Sequence, residues 1–86
     1  MAKKQTYKNM GAAEIFAVNL RGLMAMQGVS ASEMQTYMGI GETTYYKRMK
    51  HPRDFTMDNA ERAAKRLGVT VADMTGKVMS VGGINV

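Results

Sequence analysis

The 86-residue sequence has no cysteine, which excludes disulfides and thiolate metal sites and is compatible with a reducing compartment. It has one histidine, His51, directly before the single proline, Pro52. With no second histidine or cysteine at ligand spacing, His51 reads as a loop residue and not as a metal ligand. The same scarcity argues against an enzyme, because acid–base or nucleophilic chemistry needs a nucleophile, a base and an orienting group in a sheltered pocket. The serines and carboxylates are better used as helix caps. No apolar run is long enough to span a bilayer, and the lysines of residues 1–10 are followed by no apolar segment of the kind a signal peptide needs. Gly39-Ile40-Gly41 lacks the preceding strand and third glycine of a dinucleotide site. A cytoplasmic protein without cofactor, metal, membrane anchor or small-molecule ligand is therefore expected.

What the sequence does have is positive charge: the formal net charge is +5 and the pI about 9.8, a balance that favours a polyanionic partner without identifying it. The length suits one domain that buries roughly 60–65% of the surface of its unfolded chain. Three regions are expected: a basic arm over 1–11 with Lys3, Lys4 and Lys8, a helical body over 12–75, and a glycine-rich tail over 76–86. The arm reads first as a solubilising end and second as a segment that tracks a DNA backbone. In the tail, Val78, Met79 and Val81 are candidates for a short strand turned by Gly82-Gly83, which would fray alone or pair with a second copy.

Helical periodicity runs through the body. Phe16, Leu20, Leu23 and Met24 repeat at helical spacing, predicting a first helix from about Ala12 to Met26 that Gly28 ends. Ser30 with Glu33 forms a capping box, Val29 and Met34 stand as a hydrophobic staple, and Met34 and Met38 share one face of a second helix ended by Gly39. Ile40 and Tyr45 form another staple pair around a third helix that begins at Gly41, turns Tyr45 and Met49 inward and stops before Pro52. Thr56 caps a fourth helix with the small inner stripe Ala60, Ala63, Ala64 and Leu67, closed by Gly68. Thr70 with Asp73 boxes a short fifth helix that reaches about Thr75. Met24, Met34, Met38, Met49 and Met74 fall on inward stripes, which makes core filling the better use of most of the ten methionines, while Met10, Met26 and Met79 remain candidate contact residues.

With Tyr45 and Met49 inward, a turn of about 100° per residue puts Thr43, Tyr46, Lys47 and Lys50 on the far side of the third helix. Glu42 stands near its start and Arg48 on its flank. A hydroxyl, a phenol and two ammonium groups offer hydrogen-bond donors at two reaches, which suits base edges and flanking phosphates. On charge alone Lys47, Arg48, Lys50 and Arg53 would be a solvated face. The turn between two short capped helices reverses that preference.

Taken in order, Asn19-Leu20-Arg21, Leu23-Met24, Gly28-Val29-Ser30, Glu33-Met34, Gly39-Ile40, Thr43-Thr44 and Ala64-Lys65-Arg66-Leu67-Gly68-Val69 resemble the helix-turn-helix proteins of the phage repressor and Cro-like group. The resemblance covers roughly residues 12–75, and the ending Tyr45-Tyr46-Lys47-Arg48-Met49-Lys50, then Pro52 and Phe55-Thr56-Met57, is similar to a variant in small phage-derived regulators. It implies an all-α, five-helix fold of the lambda-repressor type, sequence-specific binding to a double-stranded operator, usually as a homodimer, and regulation of transcription in a phage or mobile element. The third helix would read the major groove, while the second points its N-terminal amides at a phosphate. Base-reading candidates are Glu42, Thr43, Tyr46, Lys47 and Lys50; phosphate candidates are Lys3, Lys4, Arg21, Ser30, Ser32, Arg48 and Arg53. Three positions depart from the group. Ala31 stands where a phosphate-gripping glutamine is common, Gln35 replaces a small alanine, and Met49 replaces a glutamate that pairs with an arginine of helix 1, which leaves Arg21 free to face a phosphate. The competing expectation is a protein-interaction module on a degenerate scaffold of this kind, such as an antirepressor or a phage assembly adaptor.

Overall fold

The computed structural model describes residues 10–79. Over that span the chain forms α1 (Ala12–Gln27), α2 (Ala31–Met38), α3 (Glu42–Lys50), a single 3-10 turn at Pro52–Asp54, α4 (Met57–Leu67) and α5 (Val71–Gly76). The expected all-α class is observed, with no strand among the described residues. The lysines of the arm, Lys3, Lys4 and Lys8, lie outside the described residues, as do Val81 and Gly82-Gly83. No helix among the described residues is long and apolar enough to cross a membrane.

The helices begin and end where local chemistry dictates. Ser30 Oγ accepts the Glu33 N–H at 3.0 Å, and Glu33 Oε1 accepts the Ser30 N–H at 3.3 Å. Thr70 and Asp73 repeat that exchange at α5. At α4 the N3 residue is Asn59, whose Oδ1 accepts the Thr56 N–H while Thr56 Oγ1 accepts the Asn59 N–H. The turn between α2 and α3 depends on Gly39, which takes φ 75°, a value that costs a residue with a Cβ about 1–2 kcal/mol. There the Gly39 N–H reaches the Gln35 and Thr36 carbonyls and the Ile40 N–H reaches Gln35 at 3.1 Å, which satisfies the carbonyls that the end of α2 leaves open.

One core holds the helices together. It joins Phe16, Leu20, Leu23 and Met24 of α1 to Met34 and Met38 of α2, Tyr45 of α3, the Ala60, Ala63, Ala64 and Leu67 stripe of α4, and Met74 of α5. Leu20, Met34, Met38 and Met74 are fully buried, each contributing roughly 1.5–3 kcal/mol of transfer free energy. Met49 is half-buried against this core, whereas Met26 and Met57 are exposed. The small alanine stripe lets α4 pack closely against its neighbours. Phe55, just after the 3-10 turn, meets Phe16 edge to face with ring centroids 5.4 Å apart.

The segment after α5 differs from the expectation of a strand-forming tail. Val78 and Met79 are not in a strand, and Met79 is half-buried against the core instead of standing free as a contact residue. The cause is Asn19, 2% exposed on α1. Its Nδ2 donates to the carbonyls of Met74 and Lys77, both at 2.9 Å, and its Oδ1 accepts the Met79 N–H at 2.7 Å. A buried amide must satisfy its polar atoms, and here it does so by drawing the chain beyond Thr75 back onto α1.

Candidate nucleic-acid interface

The candidate face is built on α3, which Tyr45 seats in the core at 3% exposure. Burial holds the Tyr45 phenol above its ordinary range, Tyr46 beside it pushes the same way, and the Arg21 guanidinium opposes both. The neutral hydroxyl donates to the Met24 sulfur at 3.7 Å. With that face inward, Glu42, Thr43, Tyr46, Lys47 and Lys50 are all exposed. The structure thus brings the five sequence-predicted base readers together on the solvent side of one helix.

Among the described residues the phosphate candidates fall into four situations. Arg21 is exposed on α1 and, with Met24, Ala31, Tyr45, Tyr46 and Met49, lines an open groove of about 260 Å³ between α1, α2 and α3. Tyr46 meets the Tyr45 ring edge-on at 5.1 Å and 83°, which puts it on the wall of that groove. Ser30 and Ser32 are exposed at the start of α2. There the Ser30 oxygen already accepts a cap bond, so its hydroxyl proton is the part left to donate. Arg53 extends from the 3-10 turn, its side chain 80% exposed, with Nε 3.4 Å from Glu14 Oε2. At that exposure the pair is worth no more than about 1 kcal/mol, so a phosphate competes for the guanidinium at modest cost.

Arg48 is different. It is half-buried, and its Nη1 donates to Asn59 Oδ1 at 2.7 Å. Sequence reasoning found Thr56 as a cap but not Asn59, because asparagine is a less common N3 partner than glutamate or glutamine. The tie from α3 to α4 is also nonlocal. The spacing Thr56-x-x-Asn59 was the one available signal.

Charge pairing completes the asymmetry. Among the described residues, Arg53 pairs with Glu14, Arg62 with Asp58 and Arg66 with Glu33. Arg66 also lies over the Tyr37 ring at 5.3 Å. Lys47, Arg48 and Lys50 on α3, and Arg21 across the groove, make no ion pair there. Four cations without carboxylate partners therefore lie on or beside α3, of which Arg21, Lys47 and Lys50 are exposed and Arg48 is half-buried. Comparison with family models, with curated proteins and with solved structures finds no match to this chain.

Proposed function

We propose that the protein binds double-stranded DNA in a sequence-dependent way, with α2 and α3 acting as a helix-turn-helix and α3 entering the major groove. The observation that carries this reading is the outward face of α3: Thr43, Tyr46, Lys47 and Lys50 exposed together, with no acidic partner for either lysine among the described residues. Nine residues make a helix of roughly 13 Å, and a helix with its side chains fits a major groove about 12 Å wide. Lys47 and Thr43 stand one turn apart and take base edges, with Glu42 and Tyr46 as secondary readers and Lys50 at the end of the same face. Arg21, Arg53, Ser30 and Ser32 hold the register by facing phosphates, and the first amides of α2 point the same way. Two copies on a two-fold operator, acting as a transcriptional regulator of the phage repressor kind, complete the proposal.

Selection of bound fragments from random duplex DNA tests this directly, since it reports activity, sequence and symmetry together. A salt titration on the selected site should give a slope in log affinity against log salt of about −4 to −5 per subunit, from ~4–6 phosphate contacts. A second reading, a protein-interaction module on the same scaffold, draws on Met26 and Met57, exposed at 51% and 64%. A flat titration with no selected sequence would favour it.

A further inference from the structure

We infer that Asn59 is a positioning residue for α3, acting through Arg48, and that Arg48 is a strut between α3 and α4 instead of a phosphate contact. The inference rests on the DNA reading above. Little else holds α3. Gly41 gives its N-terminus no side-chain cap, His51 ends it outside the left-handed conformation that closes α1, α2 and α4, and Tyr45 is its only buried residue. Its last turn carries Lys47, Arg48 and Lys50, three like charges within four residues.

Against that weak local support stands one short polar tie. Asn59 is 4% exposed, and its Oδ1 accepts both Arg48 Nη1 at 2.7 Å and the Thr56 N–H at 3.0 Å. The same oxygen thus closes the first turn of α4 and holds the last turn of α3. Because α4 is seated by a row of buried residues, it is the stiffer partner and sets where the end of α3 sits. Bonds to a charged donor are among the stronger side-chain hydrogen bonds. The tie also turns the Arg48 guanidinium toward α4 and away from the face that holds Lys47 and Lys50.

A strut and a phosphate contact behave differently when removed. Base contacts depend on fine placement of a helix, whereas phosphate contacts tolerate small shifts. Arg48→Ala should therefore lower affinity for the selected site by roughly tenfold, lower affinity for unrelated duplex much less, and leave the salt slope unchanged. Asn59→Ala should do the same and add little in the Arg48→Ala background, while Asn59→Asp, which keeps the acceptor, should restore discrimination. Thr56→Ala removes the other half of the cap without touching Arg48 and serves as the stability control; it should leave discrimination intact. A salt slope that falls by about one in Arg48→Ala, with equal loss on all sequences, would overturn the strut.

Hydrogen exchange on the free protein provides an arm that needs no DNA. Asn59→Ala should speed exchange of the last turn of α3 more than Thr56→Ala does, and equal protection there would overturn the inference. Failure of the unaltered chain to bind any duplex would instead overturn the functional reading and leave this exchange comparison to decide the strut.

Discussion

Helices α3 and α4 are nine and eleven residues long and carry three basic residues each, yet α4 pairs two of its three and α3 none. On α4, Arg62 pairs with Asp58 one turn before it and Arg66 is taken by Glu33 and the Tyr37 ring of α2, so that Lys65 alone of the three has no ion pair among the described residues. On α3, no carboxylate among the described residues meets Lys47, Arg48 or Lys50. The seating differs too. Five residues of α4 are buried, against Tyr45 alone on α3. The fold thus fixes α4 through many small contacts and pairs most of its charge, whereas α3 rests on Tyr45, a half-buried Met49 and the Arg48–Asn59 bond and keeps its charge unpaired.

The largest way to break this contrast is to remove the seat. Tyr45→Ala should cost about 3–5 kcal/mol, as loss of a buried aromatic does, measured by denaturant unfolding. Ala63→Gly on α4, where many residues share the load, should cost about 1 kcal/mol. Similar losses for the two would mean that α3 is not singly anchored.

Next comes the charge. Lys47→Ala should weaken the selected site by roughly 1–3 kcal/mol and relax the choice of base at one position, read by repeating the duplex selection. Arg53→Ala should weaken all sequences alike and flatten the salt slope by about one unit. Arg62→Ala on α4 should change affinity little and stability by no more than about 0.5 kcal/mol, since its pair is exposed. If Lys47→Ala and Thr43→Ala leave both affinity and selected sequence untouched, α3 is not the reading element.

The smallest effects are pH-dependent. The Tyr45 phenol is held above its ordinary range chiefly by burial, so its contribution is complete below about pH 10 and is lost as pH rises through the raised folded value. Tyr45→Phe should remove that alkaline decline. The Asp73 carboxyl is held below its ordinary range by the Thr70 N–H, then by the Thr70 hydroxyl. Its contribution is present above about pH 4 and disappears as pH falls through the lowered value. Asp73→Asn should shrink the acid-side loss of stability in thermal melts.

What was legible in the sequence follows the same division between local and distant causes. Ser30 with Glu33, Thr70 with Asp73, and the glycines at 28, 39 and 68 act within one turn of chain, so their pattern alone marks the helix ends. The outward set Thr43, Tyr46, Lys47 and Lys50 followed from periodicity once Tyr45 was placed inward. Asn19 could not be recognised as buried, because its partners lie more than fifty residues away. Arg48 with Asn59, and Arg66 with Glu33 and Tyr37, are likewise meetings of separate helices. Local spacing carries no signal for such meetings, and for Arg48, on the flank of a basic helix, a phosphate contact was the natural expectation.

Asn19 also bears on the order in which the molecule can be made. Synthesis proceeds from the N-terminus at about 5–20 residues per second, so α1 leaves the ribosome seconds before Met74, Lys77 and Met79 exist to meet its amide. Until they do, the Asn19 amide must keep its hydrogen bonds with water, since burying it unpaired would cost about 1–3 kcal/mol. The nascent chain therefore carries a built-in reason to keep the Asn19 face of α1 wet until the segment through Met79 has emerged. A ribosome stalled before that point should display a fragment in which α1 is not protected from proteolysis.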